Sequence, residues 1–487
     1  MSGSPRVTAA AGASAPDGGP AANRNRVLVV ACVATFMASL DLFIVNIAFP
    51  DIQASLGGAS DASLSWVLNA YAIVFAALLV PAGRLADLLG RKRVFMAGAL
   101  VFVAASGLCA AAPSVGWLVA ARVAQALGAA ALFPTSLALV LVEFAAPQRP
   151  RAVAIWSASG AVAAAAGPPL GGVLVQLSWH WVFLVNLPIG LVTIAVAARV
   201  LDESRDPAAG RLPDLLGAGV LAAGIGLLTL AVVQGSTWGW GSTQTIGGFV
   251  AAVALLVLFA ARCVRHPLPV VEVDLLRVRA FAAANVAALM FLAGFAAMLL
   301  GSVLFLTRVW HEDALTAGLQ IAPGPLMAAL FSVPAGLLTV RYGPRNVAVP
   351  GVLLVAAGAL WWLTQLTTTT HYAHGFLPGM LIGGAGVGLA MPTLANAAVA
   401  GLPPQRFATG SAVFSMSRQV GAALGVAVFI AVLGTPAPDQ TLVAFQHGWE
   451  LMLGTSVLAA LAAATIGRHP ARQTAAATAL VATDAAT

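Results

Sequence analysis

GRLADLLGRKR, Gly83 to Arg93, packs three arginines, one lysine and one aspartate into eleven residues of a 487-residue chain that is only 8% charged. Soluble domains carry about 25% charged residues, whereas this chain is 60% hydrophobic with a mean hydropathy of +0.93. The cluster is therefore a polar break in a membrane protein. Crossing a hydrocarbon core ~30 Å thick takes about 20 apolar residues, and the sequence offers fourteen such segments. They lie at approximately 27–48, 62–82, 93–112, 116–141, 151–177, 181–200, 213–234, 246–264, 280–306, 314–340, 346–366, 373–400, 408–434 and 446–466.

Orientation follows from the basic residues. With the N-terminus in the cytoplasm, only Arg308 of the 24 basic residues falls on an outer connection, while Arg122 and Arg418 fall inside helices. Arginine and lysine mark cytoplasmic loops, so both ends of a fourteen-span chain are expected in the cytoplasm of a plasma-membrane protein. Trp66, Trp117, Trp179, Trp181, Trp238, Trp240, Trp310 and Trp449 then fall near outer helix ends, as expected for an interfacial belt. Residues 1–26 and 467–487 read as disordered cytoplasmic tails, rich in small and polar residues. Cys32, Cys109 and Cys263 have no metal-ligand spacing and imply neither a disulfide nor a metal site. The net charge of +7 resides in the loops, which argues for topology rather than a nucleic-acid partner.

The opening stretch has an echo. GLLTVRYGPRN, Gly336 to Asn346, repeats its glycine spacing at an offset of 253, and GVGLAMPTLANAA repeats LGAAALFPTSLAL at an offset of 258, aligning Pro134-Thr135 with Pro392-Thr393. Near-constant offsets indicate parallel six-helix halves, 27–200 and 280–466, with linkers and an inserted helix pair over 201–279. Parallel repeats of this kind are the signature of one large transporter architecture.

The motifs resemble the major facilitator superfamily, and within it the fourteen-spanner drug:proton antiporters. Gly83, Leu85, Asp87, Gly90, Arg91 and Lys92 fit that family's loop motif between helices 2 and 3, with Leu88 in place of its arginine. Leu118, Arg122, Gln125 and Gly128 fit the helix 4 motif, with Ala126 in place of a glycine. Gly167, Pro168, Gly171 and Gly172 fit the helix 5 antiporter motif, and LDLFIVNIAFP, WHWVFLVNLPIG and SRQVGAALGVA are similar to the fourteen-spanner group. The resemblance implies an all-α membrane protein that exchanges protons for lipophilic drugs or antibiotics. It implies a gate at the loop motif, with Val340 standing where the second copy would repeat Asp87.

Ionisable residues inside a bilayer are costly, about 2.5–3.5 kcal/mol on insertion scales, and are functional candidates by default. Asp41 is about 21 Å along helix 1 and Arg122 about 9 Å into helix 4, which places both at similar depths in the outer half of the membrane. Asp41 reads as a protonation site or as a bonded polar anchor, and Arg122 as its coupling partner or as a packing residue. Glu143 is either a third coupling group or an ordinary interfacial carboxylate. Asn46, Asn69, Tyr71, Gln125, Gln320, Asn396 and Arg418 are candidate cavity residues, with helix-to-helix hydrogen bonding as the alternative for each. A largely apolar cavity suits lipophilic, often cationic, compounds, as the resemblance implies.

The rival readings are a proton symporter or facilitator for a small nutrient or metabolite, and a non-transporting receptor. No phosphate-binding GxxxxGK[ST] stretch and no HExxH is present, so neither an enzyme nor ATP-driven pumping is expected. No cofactor is expected, and a monomer is the expected functional unit.

Overall fold

A computed structural model describes residues 21–145, 148–206, 212–402 and 406–467. Most of the two expected tails lies outside the described residues. Fourteen long helical segments organise the chain: α1 Ala21–Ile47, α2 Asp61–Leu89, α3 Arg91–Ala110, α4 Val115–Glu143, α5 Arg149–Leu177, α6 Trp181–Val200, α7 Leu215–Trp238, α8 Thr243–Arg265, α9 Arg279–Arg308, α10 Ala314–Tyr342, α11 Pro344–Gln365, α12 Tyr372–Ala400, α13 Phe407–Leu433 and α14 Thr441–Ala464. Thirteen of the described helices are long and apolar enough to cross a membrane. The expected segment 446–466 falls largely within α14, which is not among the thirteen and carries Gln446, His447 and Glu450 in its first half.

Local chemistry sets many of the boundaries. Ser60, Ser114, Ser242 and Asp313 each accept a hydrogen bond from the N–H three residues on, capping α2, α4, α8 and α10. A single residue, Gly90, separates α2 from α3 at a φ of +117°, and Gly343 separates α10 from α11 at +85°. Both conformations favour glycine, and the two glycines are again 253 positions apart. α5 runs unbroken through Pro168 and Pro169.

Packing repeats along with sequence. In the first six helices α1 lies against α4, α5 and α6, α2 against α4, and α3 against α4 and α6. Eight helices later α9 lies against α12, α13 and α14, α10 against α12, and α11 against α12 and α14. The two sets meet where α2 packs on α13 and where α5 packs on the first turns of α10. α7 covers the α2–α13 seam and also carries α8, of which only Thr245, Ala252 and Cys263 are buried.

The expected tryptophan belt is corrected in part. Trp117, Trp181 and Trp240 are exposed, but Trp179, Trp310 and Trp449 are buried. Trp310 and Trp449 join Phe305, Trp362, Phe376 and Phe445 in one aromatic cluster among α9, α11, α12 and α14. Their rings fill space between helices, which a rule about lipid interfaces does not foresee.

Small residues bring α13 close to α9: a Cβ at Gly425 would lie 2.1 Å from the Ala293 carbonyl oxygen, and one at Gly421 2.2 Å from that of Leu289. Gly425→Ala is expected to cost about 1–3 kcal/mol through overpacking, read as a lower melting temperature of the purified protein. Gly454→Ala, with open space around the new methyl, should not lower it.

Candidate functional site

Asp41 on α1 and Arg122 on α4 are both fully buried and in direct contact, Arg122 Nη1 donating to Asp41 Oδ2. The carboxylate's other oxygen accepts from Gln125 Nε2 at 2.8 Å and Asn186 Nδ2 at 3.2 Å. Arg122 also donates to Gln125 Oε1 at 2.6 Å and, through Nε, to the Val67 carbonyl of α2 at 3.0 Å. Its guanidinium carbon lies 4.1 Å from the centre of the Tyr71 ring. Ser106 of α3 accepts from Gln125 and Asn186 and donates to the Phe102 carbonyl. Thus α1, α2, α3, α4 and α6 are tied through one polar centre.

The centre is not fully bonded. Arg122 Nη2, Asn186 Oδ1 and the Tyr71 hydroxyl are buried without a hydrogen-bond partner among the described residues. Unsatisfied groups of this kind typically cost about 1–3 kcal/mol each, so the network holds unused bonding capacity beside its charges. Asn186 and Ser106 were not singled out from sequence. Asn186 lies inside the WHWVFLVNLPIG stretch, which was a usable signal, whereas Ser106 carries none.

Glu143 is not part of this centre. It ends α4, 21 positions or about 31 Å of helix from Arg122, and it makes no hydrogen bond or ion pair among the described residues.

At the face carrying the helix ends of α2 and α3, Asp87 accepts from Arg91 Nε at 2.9 Å and Nη2 at 2.7 Å. Gly83 packs on Pro134, and a Cβ at Gly90 would strike the Glu203 carboxylate at 2.5 Å. Lys92 donates to the carbonyls of Ala198 and Leu201, and Arg93 pairs with Glu203 at 3.6 Å. These contacts staple the loop to the chain leaving α6. The link toward the second set is instead Arg84, which pairs with Glu272 at 2.9 Å, while Glu272 also faces Arg406 at 3.7 Å. Val340, at the place of Asp87 in the second copy, is exposed.

On the opposite face the two sets are joined directly. Arg308 at the end of α9 makes two 2.6 Å bonds to Asp61 at the start of α2 and one of 2.9 Å to Gln53. Gln53, on the short helix Phe49–Ser55, donates to Asp61 at 2.8 Å. Nearby, the antiporter-motif glycines meet two helices. Gly167 and Gly171 lie against Phe43, Ile44 and Ile47 of α1, and Gly172 lies against the backbone of Ala314 and Leu315. Gly318 of α10 in turn lies against the Pro168 carbonyl. The lone basic residue expected on an outer connection is thus half of a clamp that sequence reasoning did not identify.

The remaining cavity candidates are scattered. Asn46 donates within its own helix to Leu42, and Gln320 donates to Glu312 at 3.3 Å. Asn69 is fully buried with both side-chain atoms unpartnered, and Asn396 is exposed near the end of α12. Arg418 is half-buried on α13 with no partner for Nε.

The sequence matches the family described as Major Facilitator Superfamily over residues 31–426, with a second match over 284–482. It is 35% identical over 443 residues to the cephamycin export protein CmcT of Amycolatopsis lactamdurans, covering 88% of this chain and 89% of that one. Identity is 34% over 416 residues to the multidrug resistance protein Stp of Mycobacterium tuberculosis, covering 84% and 76%. It is 33% over 477 residues to the puromycin resistance protein pur8 of Streptomyces alboniger, covering 94% and 93%. Among solved structures, a bacterial homologue of the human lysosomal transporter Spinster superposes with a TM-score of 0.63 at 17% identity, covering 92% of this chain and 97% of that one. A peptide transporter solved with sulfate gives 0.63 at 15% identity, covering 91% and 95%. At such identities these structures speak to fold alone.

Two outcomes follow from the geometry. Removing one member of a buried ion pair strands the other, at about 3–5 kcal/mol; Arg122→Ala should therefore melt well below the wild type, and below the double variant Asp41→Asn/Arg122→Gln. At the opposite face, Asp61→Ala should raise severalfold the rate at which a cysteine placed at Leu315 reacts with an impermeant maleimide, and an unchanged rate would show that the clamp does not hold that face shut.

Proposed function

The chain belongs to the Major Facilitator Superfamily, and we propose that it is a proton-coupled antiporter exporting lipophilic drugs or antibiotics across the bacterial plasma membrane. The observation that carries the coupling is the buried pair. Among the described residues, Asp41 is the one carboxylate sealed inside a spanning helix, and it rests on Arg122, Gln125 and Asn186. A proton on Asp41 removes the countercharge of Arg122. The guanidinium must then find other acceptors, and a rearrangement among α1, α2, α4 and α6 is the way to supply them.

In this reading there are fourteen spans, both termini are cytoplasmic, and residues 27–200 and 280–466 are two halves that rock about a midplane site. The face clamped by Arg308 and Asp61 is then the outside, and the molecule is closed to it. Three features support that state: the Arg308–Asp61–Gln53 bonds, the backbone contact of Gly172 with Ala314, and the packing of α5 mainly on the outer turns of α10. The Asp87–Arg91 pair and the Arg84–Glu272–Arg406 chain are charge-assisted contacts at the cytoplasmic ends, available to break and re-form as the halves move. The export relatives support a drug or antibiotic cargo, and the helix 5 motif supports exchange rather than symport.

The test is efflux of a panel of cationic, neutral and anionic lipophilic dyes and antibiotics from cells expressing the chain, with and without an uncoupler. Uncoupler-sensitive efflux of at least one compound is expected. Asp41→Asn should reduce gradient-driven export at least tenfold while leaving downhill exchange in place. Gradient-driven export that survives this substitution at every pH would sink the coupling role.

A further inference from the structure

The second half contains a cation that no acidic side chain among the described residues neutralises. Arg418 lies on α13 about 16 Å from one helix end and about 22 Å from the other, near the midplane, where major-facilitator-type transporters bind substrate. No hydrogen bond or ion pair reaches its guanidinium among the described residues, and Nε is sealed without a partner. A charge at this depth is expensive, and the protein treats its other intramembrane arginine differently, giving Arg122 a carboxylate, an amide and a carbonyl.

Three further observations make the place a site rather than a stray charge. Arg418 is only half-buried midway along α13, so part of its side-chain surface is open. Gln419, the next residue, is 8% exposed, and its Nε2 is buried with no acceptor. Successive helical residues point about 100° apart, and within about two turns of this pair the positions that fall between them are Ser411, Ser415, Ala422 and Val426, none of them large. Ser411, Ser415 and Ala422 are half-exposed, so there is room between the arginine and the amide. The opposite flank of the helix is used up: Ser417 donates to Asn285 of α9 at 2.9 Å, and Gly421 and Gly425 press on its backbone.

What is missing is an acceptor carrying negative charge. We propose that Arg418 and Gln419 form a subsite for the carboxylate of an amphiphilic substrate, whose apolar body lies along the small-residue strip of α13. The assignment rests on the transport reading and narrows it: the cargo brings an acid, and a purely cationic compound meets an unscreened guanidinium in the second half. Guanidinium–carboxylate bonds are the strong kind, and Gln419 adds a neutral donor to the same group.

The experiment uses the purified full-length protein and dansylphenylalanine, with its neutral methyl ester as the matched control, measuring binding by dansyl fluorescence. The wild type should bind the acid at least about tenfold tighter than the ester, in line with a charge-assisted contact. Arg418→Ala should erase that preference, with an unchanged far-UV circular dichroism spectrum reporting that the variant is folded. Arg418→Lys should restore part of the preference, because the charge returns without the planar fork. Gln419→Leu should reduce it by a smaller factor. Equal affinity for acid and ester in the wild type, no measurable binding of the acid, or a preference that survives Arg418→Ala overturns the assignment. So does acetate competing as well as the unlabelled acid, since that would be a site for small free anions. Because binding is read without a gradient, failure here leaves proton-coupled export standing, and failure of gradient-driven export leaves an intact acid preference standing.

Discussion

The buried contact between Asp41 and Arg122 is the constraint around which the first six helices are arranged. Neither charge tolerates the bilayer core alone, and an ion pair withdrawn from water still needs its remaining donors and acceptors met. Gln125, Asn186, Ser106 and the Val67 carbonyl meet most of them, and they come from α2, α3, α4 and α6. Five helices therefore share one electrostatic requirement. A change of charge at that point would act on all of them at once.

Elsewhere the helices are held by proximity rather than polarity. In lipid there is little hydrophobic drive for one helix to join another, so close backbone approach at small residues does much of the work. Gly421 and Gly425 bring α13 against α9, Gly98 and Gly128 bring α3 against α4, and Gly351 and Gly386 do the same for α11 and α12. The glycines of α5 are shared between α1 and α10. That sharing makes the antiporter motif a point where the first set both packs internally and meets the second.

The two sets are unequal in charge. One has a sealed, compensated pair, and the other has Arg418, half-buried and without an ion-pair partner among the described residues. Between them the bridges are polar and accessible: Arg308 with Asp61 on one face, Arg84 with Glu272 on the other. Exposed or half-exposed ion pairs contribute little net stability, about 0–1 kcal/mol, whereas the buried Asp41–Arg122 network ties the first set together.

Much of this was legible from residues alone. Hydropathy and the offset repeats read out an all-helical chain with two similar sets, because spanning length and motif spacing are local properties of the sequence. The similar depths of Asp41 and Arg122 followed from helical rise. Depth does not fix rotation, however, so neither their contact nor the arrival of Asn186 and Ser106 could be read from it. Tertiary packing turned Trp310 and Trp449 inward to an aromatic cluster and brought Arg308 to Asp61 across 247 positions. It also left Arg418 without a countercharge, a fact about what surrounds a residue in space. Sequence determined which groups enter the membrane and how far along their helices they sit, while only the rotation and neighbours of those helices decided which charges are paired.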